Sequence, residues 1–129
     1  MIKCDYCHKE AIFSPCSSHI YSRDYGPVWE CKSCQAWVGC HPNNKPLGRL
    51  ANAVLRREKQ KAHAVFDPLW KRKMEKCGLK KGHARAKAYK WLAAELGIER
   101  RDCHIGMFNE DMCRRVVELC APYARPANT

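Results

Sequence analysis

Two short cysteine motifs near the N-terminus carry the clearest chemistry in the sequence. Cys4-Asp-Tyr-Cys7 and Cys31-Lys-Ser-Cys34 share the pattern Cys-x-x-Cys and are separated by 23 residues. Each motif turns tightly enough for both thiolates to face one centre, and two such motifs supply the tetrahedral four-sulfur shell that structural zinc prefers. We therefore predict a Zn²⁺ site formed by Cys4, Cys7, Cys31 and Cys34. Because four thiolates leave no open position for a water molecule, this zinc would be structural and not catalytic.

Other residues near these motifs leave alternatives for the ligand set. His8 and Gln35 directly follow the two motifs, at positions where zinc ribbons often have glycine because the chain turns left-handed there. Cys16, Cys40 and His41 are further potential ligands. A site that uses Cys40 or His41 in place of the last motif cysteine is an alternative, although two matched motifs form a tetrahedron more naturally.

The chain carries a strong and unevenly distributed positive charge. Its 129 residues include 24 Lys and Arg against 13 Asp and Glu, which gives a net charge of +11. Residues 1–44 have four basic and four acidic groups, residues 45–90 have fifteen and three, and residues 91–129 have five and six. A positive field concentrated in the middle third attracts polyanions, most commonly nucleic acid. The alternative is a solvated helical surface that only keeps the protein soluble.

The sequence also restricts the setting in which the protein works. No secretion signal is recognisable after the N-terminal Met-Ile-Lys-Cys, and no apolar stretch approaches the roughly 20 residues that a membrane helix needs. We therefore expect a soluble protein of the cytoplasm with no membrane partner. Ten cysteines would indicate disulfides in a secreted chain, whereas a reducing compartment favours metal binding or simple burial.

The order of these patterns predicts an α+β fold built from two parts. Residues 1–44 are expected to form a Cys4 zinc ribbon of short β-hairpins, punctuated by Gly26-Pro27. Residues 45–129 are expected to form a basic domain, a small bundle of about four helices packed on the ribbon. Because a part of about forty residues can hardly build a stable core alone, the metal would supply much of its folding energy.

The first two helices are predicted in the most basic segment. From Leu47 to Phe66 the apolar residues fall on one broad helical face, and Pro46 suits the first turn of such a helix. Asp67-Pro68 is typical of the start of another helix, with the aspartate as N-cap, and Gly78 would end it.

The remaining elements follow from caps and periodicity. A third helix is predicted from Ala84 to Leu96, before Gly97, and Asn109 is the predicted cap of a last helix. Residues 103–108 predict a short buried strand or turn. Apolar residues of the last helix repeat at i, i+3, i+4 and i+7 at positions Cys113, Val116, Val117 and Cys120.

This spacing predicts that cysteines of the second part serve as small buried apolar residues. Cys113 and Cys120 fall on the apolar stripe of the last helix, and Cys77 follows the same pattern in the second one. Cys103-His104 is an alternative start for a second metal site, but no matched partner pair accompanies it.

The motif order resembles a family of small zinc-finger-containing proteins of bacteriophages and prophages. The resemblance rests on "CDYC", "WECKSCQAWVGCHPNNKPLGRLANAVLR", "AHAVFDPLW", "AYKWLAAELGI" and "CHIGMFNEDMC" and covers nearly the whole chain. It implies a zinc ribbon with Cys4, Cys7, Cys31 and Cys34 as ligands, a helical remainder, and a phage or bacterial setting. It does not assign a role to the histidines of these blocks, which are His41, His63 and His104.

Nucleic-acid binding is the function that charge and ribbon together favour. The side chains expected to contact phosphates lie in the basic segment and are Arg49, Arg56, Arg57, Lys59, His63, Lys71, Arg72, Lys73, Lys80 and Lys81. Such contacts are independent of base sequence and weaken with salt. Tyr25, Trp29 and Trp37 are candidates for stacking on unpaired bases, with core packing as the alternative. The patterns leave open whether the ligand is DNA or RNA, and single- or double-stranded.

Two other functions compete with this hypothesis. The protein is alternatively a phage-encoded inhibitor or regulator whose basic face docks on a host protein, for example in anti-defence or transcription. A metal-dependent nuclease using His63 and Asp67 is less favoured because no paired carboxylates appear at the spacing that phosphoryl transfer needs. We therefore expect a protein without enzymatic activity.

Overall fold

A three-stranded antiparallel sheet organises the N-terminal part of the chain in the computed structural model, which describes residues 2–124. Its strands are β1 (Ile12–Ser14), β2 (Val28–Cys31) and β3 (Ala36–Gly39), in the order β1-β2-β3. Trp29 of the central strand is paired with Phe13 on one side and Val38 on the other. A short helix, α1 (Ser18–Tyr21), connects β1 to β2. The predicted α+β class with short antiparallel strands is confirmed.

One buried carboxylate lies in the central strand. Glu30 is almost completely buried and accepts a hydrogen bond from the Ser14 hydroxyl at 2.6 Å. The Nε2 atom of His19 also lies 2.6 Å from the same carboxylate oxygen. Burial raises the pKa of Glu30, but these two partners outweigh it, so that the pKa is lowered overall. The carboxylate is therefore satisfied inside the sheet and remains ionised at neutral pH.

The predicted helix start at Leu47 is wrong, because this segment continues the pairing of β3. Pro46 bridges to Cys40, and the Leu47 N–H donates to the Gly39 carbonyl at 2.9 Å. Ala51 then exchanges hydrogen bonds with Trp37, at 3.0 and 3.1 Å. The free edge of β3 offers backbone partners that a helix at this place would leave unpaired.

Helix α2 (Ala53–Cys77) therefore begins later than expected. The side-chain oxygen of Asn52 accepts a hydrogen bond from the Leu55 N–H at 3.0 Å, which is the arrangement of an N-cap. Asparagine is among the best N-cap residues, and the stretch before Leu47 offers no side chain in an equivalent place.

The predicted break at Asp67-Pro68 is also wrong, because α2 continues through Pro68. Asp67 does not cap a new helix; it accepts a hydrogen bond from Trp70 Nε1 at 3.0 Å. A proline inside a helix costs about 3 kcal/mol. Phe66 and Trp70, which flank the proline, are both buried, and their packing offsets that cost. As predicted, the helix ends before Gly78, which has a left-handed φ of 64°.

Two further helices complete the described chain, α3 (Lys81–Leu96) and α4 (Glu110–Ala124). The predicted stop at Gly97 is confirmed, since its N–H caps α3 in the left-handed conformation. Asn109 accepts a hydrogen bond from the Met112 N–H at 2.9 Å and caps α4 as predicted. Residues 103–108 contain a 3₁₀ turn, not a strand.

The described residues divide between Arg56 and Arg57 into two compact units, here called the first unit and the second unit. The described chain has three long helices where the sequence predicts about four, namely α2, α3 and α4. The number is smaller because the first two predicted helices form the single helix α2. In the core of the second unit, the rings of Phe66 and Tyr89 lie 4.6 Å apart. The core also contains Cys103, Cys113, Val116 and Cys120, which are completely buried. The prediction that Cys77 is buried is wrong, because this residue is exposed at the last position of α2.

The packing of a helical domain from residue 45 on a ribbon of residues 1–44 stays a prediction. None of the described helices combines the length and the apolar character that spanning a membrane requires.

Candidate metal centre and basic surface

Four cysteine thiols converge in the first unit. The Sγ atoms of Cys4, Cys7, Cys31 and Cys34 all lie within 4.8 Å of one another. Cys7 Sγ and Cys31 Sγ are 3.7 Å apart, close to the edge of about 3.8 Å that a sulfur tetrahedron has when each metal–sulfur bond measures about 2.3 Å. A disulfide would need about 2.05 Å. The predicted ligands thus adopt a geometry that fits a four-coordinate metal ion.

Each Cys-x-x-Cys motif is followed by a residue in the left-handed conformation. His8 has a φ of 64° and Gln35 a φ of 51°. The His8 N–H donates to the Cys4 carbonyl at 2.8 Å, and the Gln35 N–H donates to the Lys32 carbonyl at 3.3 Å. Side chains other than glycine hold this conformation at a cost of about 1–2 kcal/mol each. The turns that glycine usually provides in zinc ribbons therefore form here without it.

The ligands lie in the small core of the first unit. Cys4 and Cys31 are buried together with Ala36 and Leu50, while the other two ligands are half-buried. The Tyr6 hydroxyl, between the cysteines of the first motif, accepts a hydrogen bond from the Asn52 N–H at 3.2 Å. So few buried apolar residues stabilise a fold weakly, and a metal ion bound by the four cysteines would add to that stability.

Two of the four thiols, those of Cys31 and Cys34, have pKa values shifted in opposite directions. The Ser33 hydroxyl lies 3.4 Å from Cys31 Sγ, and its hydrogen bond lowers the pKa of the Cys31 thiol to about 6. Burial, followed by the neighbouring thiols, raises the pKa of Cys34. Cys31 therefore becomes a thiolate more readily than Cys34. A divalent cation supplies the opposite charge that lets all four sulfurs become thiolates.

The alternative ligands do not join this cluster. Within residues 2–124, no second group of three or more His, Cys, Asp or Glu side chains has this geometry. Cys16 Sγ lies 3.1 Å from the Ser18 hydroxyl oxygen, and His41 is exposed to solvent. Cys103 is completely buried, and burial raises the pKa of its thiol. The hypotheses of a Cys40 or His41 ligand and of a second site at Cys103-His104 gain no support from these positions.

Two of the predicted nucleic-acid contacts in the first unit are engaged inside the protein. Arg49 Nε lies 3.4 Å from an Asp5 carboxylate oxygen. The Arg56 guanidinium lies 3.6 Å above the centre of the Trp37 ring and donates to the Ala51 carbonyl. Burial lowers the pKa of Arg56. These side chains stabilise the first unit and have little freedom to reach a phosphate.

Three predicted contacts in the second unit are engaged as well. Lys59 Nζ donates to the Gly106 carbonyl at 2.7 Å, and Arg72 donates to the Tyr123 carbonyl. His63 Nδ1 lies 3.4 Å from an Asp67 oxygen that also accepts the Trp70 hydrogen bond. His63 and Asp67, the pair considered for nuclease chemistry, thus interact with each other and with Trp70 inside α2. The remaining predicted contacts are all exposed, namely Arg57, Lys71, Lys73, Lys80 and Lys81.

Three cations from two helices surround one indole ring. Lys71 Nζ of α2, Lys81 Nζ of α3 and the Arg85 guanidinium of α3 lie 5.6, 5.7 and 5.9 Å from the centre of the Trp70 ring. The ring itself is only 7% exposed. We call these three side chains and the indole the Trp70 cluster. Sequence reasoning missed Arg85, although it follows Lys81 by four residues and so shares its helix face.

The predicted stacking residues differ in their contacts. Trp29 Nε1 donates to the Asn44 carbonyl at 2.9 Å, and its ring packs edge-on against Phe13 with centres 5.3 Å apart. One face of Trp37 is covered by Arg56. Tyr25 is 68% exposed. Both tryptophans are half-buried and engaged in contacts within the first unit, and Tyr25 is the accessible ring.

Comparison with known proteins gives a single assignment. No curated protein and no solved structure matches the chain. Residues 1–123 match the DUF3268 family, which is described as a zinc-finger-containing domain. The match extends over both units and includes all four clustered cysteines. The chain therefore belongs to this family of zinc-finger-containing domains.

Proposed function

We propose that the chain is a small, non-catalytic nucleic-acid-binding protein whose first unit is stabilised by Zn²⁺. Tetrahedral thiolate sites select zinc among the common redox-inactive divalent ions, whereas Mg²⁺ and Ca²⁺ prefer oxygen ligands. A shell of four cysteines leaves no coordination position for a substrate or a reactive water. This supports a structural role for the metal.

The Trp70 cluster is the observation that carries the nucleic-acid proposal. Lys71, Lys81 and Arg85 hold three positive charges around one ring. None of the three forms an ion pair with a carboxylate within residues 2–124, unlike Arg114, which lies 3.6 Å from Glu58. Adjacent cations without carboxylate partners repel one another, and a phosphate group relieves that repulsion. The exposed cations Arg57, Lys73 and Lys80 extend the same charge along α2 and the α2–α3 turn.

The absence of enzymatic activity is part of the proposal. Phosphoryl-transfer sites combine metal-binding carboxylates with an activated nucleophile. In the pair considered for nuclease chemistry, His63 and Asp67, the carboxylate also accepts a hydrogen bond from Trp70. A phage or bacterial origin and a cytoplasmic setting stay predictions.

Salt-dependent binding tests this proposal directly. We propose to compare the zinc-loaded wild type with a triple variant, Lys71→Gln, Lys81→Gln and Arg85→Gln, by fluorescence anisotropy with labelled DNA and RNA oligonucleotides. The variant is expected to bind more weakly at every salt concentration. Its slope of log affinity against log salt is expected to be shallower by about 2 to 3, because each lost phosphate contact removes about 0.7 to 0.9.

A charge-matched control separates local contacts from net charge. The variant Lys45→Gln, Lys90→Gln and Arg101→Gln removes three exposed cations that lie outside the Trp70 cluster. It should retain most of the salt slope. Equal losses in both variants would contradict a defined phosphate site. If the wild type binds no oligonucleotide, yet retains one host protein stoichiometrically from nuclease-treated lysate, the alternative role as an inhibitor or regulator replaces the proposal.

A further inference from the structure

An exposed aromatic cleft lies in the first unit, apart from the metal ligands. It encloses about 560 Å³, and its walls include Tyr21, Tyr25, Pro27, Val28 and Leu47. Tyr21, Tyr25 and Leu47 are 42%, 68% and 56% exposed. We call it the tyrosine cleft. Large apolar side chains that converge at the surface commonly mark a binding site.

The two tyrosine rings are held in a defined arrangement. Their centres lie 5.5 Å apart with an interplanar angle of 87°. The Tyr21 hydroxyl accepts a hydrogen bond from Trp37 Nε1 at 2.7 Å. Trp37 is in turn covered by the Arg56 guanidinium at 3.6 Å. Arg56, predicted to contact phosphates, thus packs on the ring whose N–H group donates to Tyr21.

Hydrogen bonds also order the loop that carries the second ring. The Tyr25 N–H donates to the hydroxyl of the completely buried Ser17 at 2.9 Å. Asp24 accepts hydrogen bonds from the Gly26 N–H at 2.8 Å and the Ser17 N–H at 3.2 Å, and these bonds lower the pKa of its carboxyl. A ligand that meets rings already in place loses little free energy in ordering them.

A positive charge lies beside the more exposed ring. The Arg23 guanidinium is 5.7 Å from the centre of the Tyr25 ring. Unpaired bases stack on aromatic rings, and each base is linked to a phosphate that an adjacent arginine can neutralise. Leu47 adds an apolar side wall, which suits the flat face of a base. An apolar peptide would use the walls but not the arginine.

From these contacts we propose that the tyrosine cleft binds unpaired bases of single-stranded nucleic acid, with Tyr25 as the principal stacking surface. This inference rests on the proposed function, and it adds the class of ligand. Bases of a duplex are already stacked and paired, so they cannot enter the cleft without breaking the helix. The protein is therefore expected to bind single strands more tightly than duplexes of the same length and sequence.

The experiment compares three tyrosine variants of the zinc-loaded full chain. Tyr25→Leu removes the stacking surface and is expected to weaken binding of a labelled single strand by about 5-fold or more, in line with about 1–3 kcal/mol per stacked base. Tyr25→Phe keeps the ring and should retain wild-type affinity. Tyr123→Leu removes an equally exposed tyrosine outside the cleft and should have no effect. Duplex affinity should be the same in all variants.

Cross-linking locates the contact. An oligonucleotide containing 5-iodouracil, irradiated in the complex, is expected to label the tryptic peptide of residues 24–32, and Tyr25→Leu should abolish that label. Unchanged zinc content and thermal midpoint confirm that each variant is folded.

The outcomes distinguish this inference from the proposal on which it rests. If Tyr25→Leu binds single strands as tightly as the wild type, or if duplexes are preferred, the inference is wrong, whereas salt-dependent binding through the Trp70 cluster would stand. If no salt-dependent binding to any oligonucleotide occurs, both are wrong. A cleft that binds apolar peptides instead, without competition from single strands, also overturns the inference.

Discussion

In the first unit, four cysteines converge so closely that a metal ion fits between their sulfurs. In the second unit, Cys103, Cys113 and Cys120 are completely buried in a core that includes Phe66 and Leu92. Four cysteines of the first unit thus have the geometry of a metal site, whereas three cysteines of the second unit are small buried residues of an apolar core. Local sequence decides between the two roles: the Cys-x-x-Cys turn directs two thiols to one point, whereas helical spacing directs them to an apolar face.

The two units also differ in which residue types adopt the left-handed conformation. All non-glycine residues with positive φ in the described chain belong to the first unit, and they are His8, Ser22, Gln35 and Asn44. The second unit uses Gly78 and Gly97 for its left-handed positions. Within residues 2–124, the left-handed non-glycine residues thus all lie in the unit that contains the four-cysteine cluster.

The largest expected effect is the loss of a metal ligand. Cys31→Ser should release the metal and unfold the first unit, because metal binding supplies on the order of 10 kcal/mol to small zinc modules. The second unit has its own apolar core, so α3 and α4 should persist. Amide resonances of residues 28–39 are expected to collapse to random-coil positions while those of residues 81–96 stay dispersed. Metal analysis should show less than one ion per chain.

A cysteine outside the cluster provides the control. Cys40→Ser changes a half-buried thiol and should leave both the metal content and the spectrum intact. If Cys31→Ser also unfolds α3, the two units form one cooperative structure and the comparison between them fails.

A cavity in the second unit should destabilise that unit without releasing the metal from the first. Phe66 is completely buried against Tyr89, so Phe66→Ala is expected to lower the free energy of unfolding of the second unit by about 3–5 kcal/mol. The metal content should stay at one ion per chain. Denaturant titration monitored by circular dichroism measures the first effect and elemental analysis the second. Met107→Ala, at a side chain 55% exposed, should cost little. Loss of the metal in Phe66→Ala would contradict the division of roles.

Alkaline pH should distinguish buried thiols from ligands. Burial raises the pKa of the Cys120 thiol from an ordinary value of 9.0 to about 11. The pKa of the Cys120 thiol is thus higher in the folded than in the unfolded state. Its contribution to the free energy of unfolding is therefore fully present below pH 9 and is lost as the pH rises towards 11. The expected loss is on the order of 2 kcal/mol. Because lysines and tyrosines titrate in the same range, the measurement is the difference from Cys120→Ala, whose unfolding free energy should fall less steeply. Identical slopes would contradict the buried-thiol assignment.

These contrasts also show what the sequence can predict. The metal ligands follow from local spacing alone, and the caps at Gly97 and Asn109 follow from short-range chemistry. The course of α2 does not, because the burial of Phe66 and Trp70 outweighs the proline between them. The prediction of a helix directly after β3 is wrong for a related reason, since the hydrogen bonds of this segment go to a strand edge that the sequence does not reveal.

The candidate binding residues show the same limit. Charge composition identifies the basic segment, but it does not distinguish exposed Lys81 from Lys59, whose ammonium group donates to a backbone carbonyl. The Trp70 cluster and the tyrosine cleft depend on side chains brought together by folding. Spacing places Arg85 on the helix face of Lys81, but it does not predict that both lie beside Trp70, nor the positions of Tyr21 and Leu47 in the cleft.

The smallest expected effect concerns the left-handed turns. Gln35→Gly removes strain of about 1–2 kcal/mol but also makes the unfolded chain more flexible by a comparable amount, so its net effect should be within about 0.5 kcal/mol. Gly97→Ala makes the unfolded chain less flexible, but the strain of alanine at a φ of 73° outweighs this gain. A Cβ atom there meets nothing within 4 Å, so its cost of about 1 kcal/mol comes from the backbone alone. Thermal midpoints of the metal-loaded variants measure both. A different outcome is that Gln35→Gly gains more stability than Gly97→Ala loses. The turn at Gln35 would then store strain that the metal centre holds in place. The two units would then differ in backbone conformation as much as in cysteine chemistry.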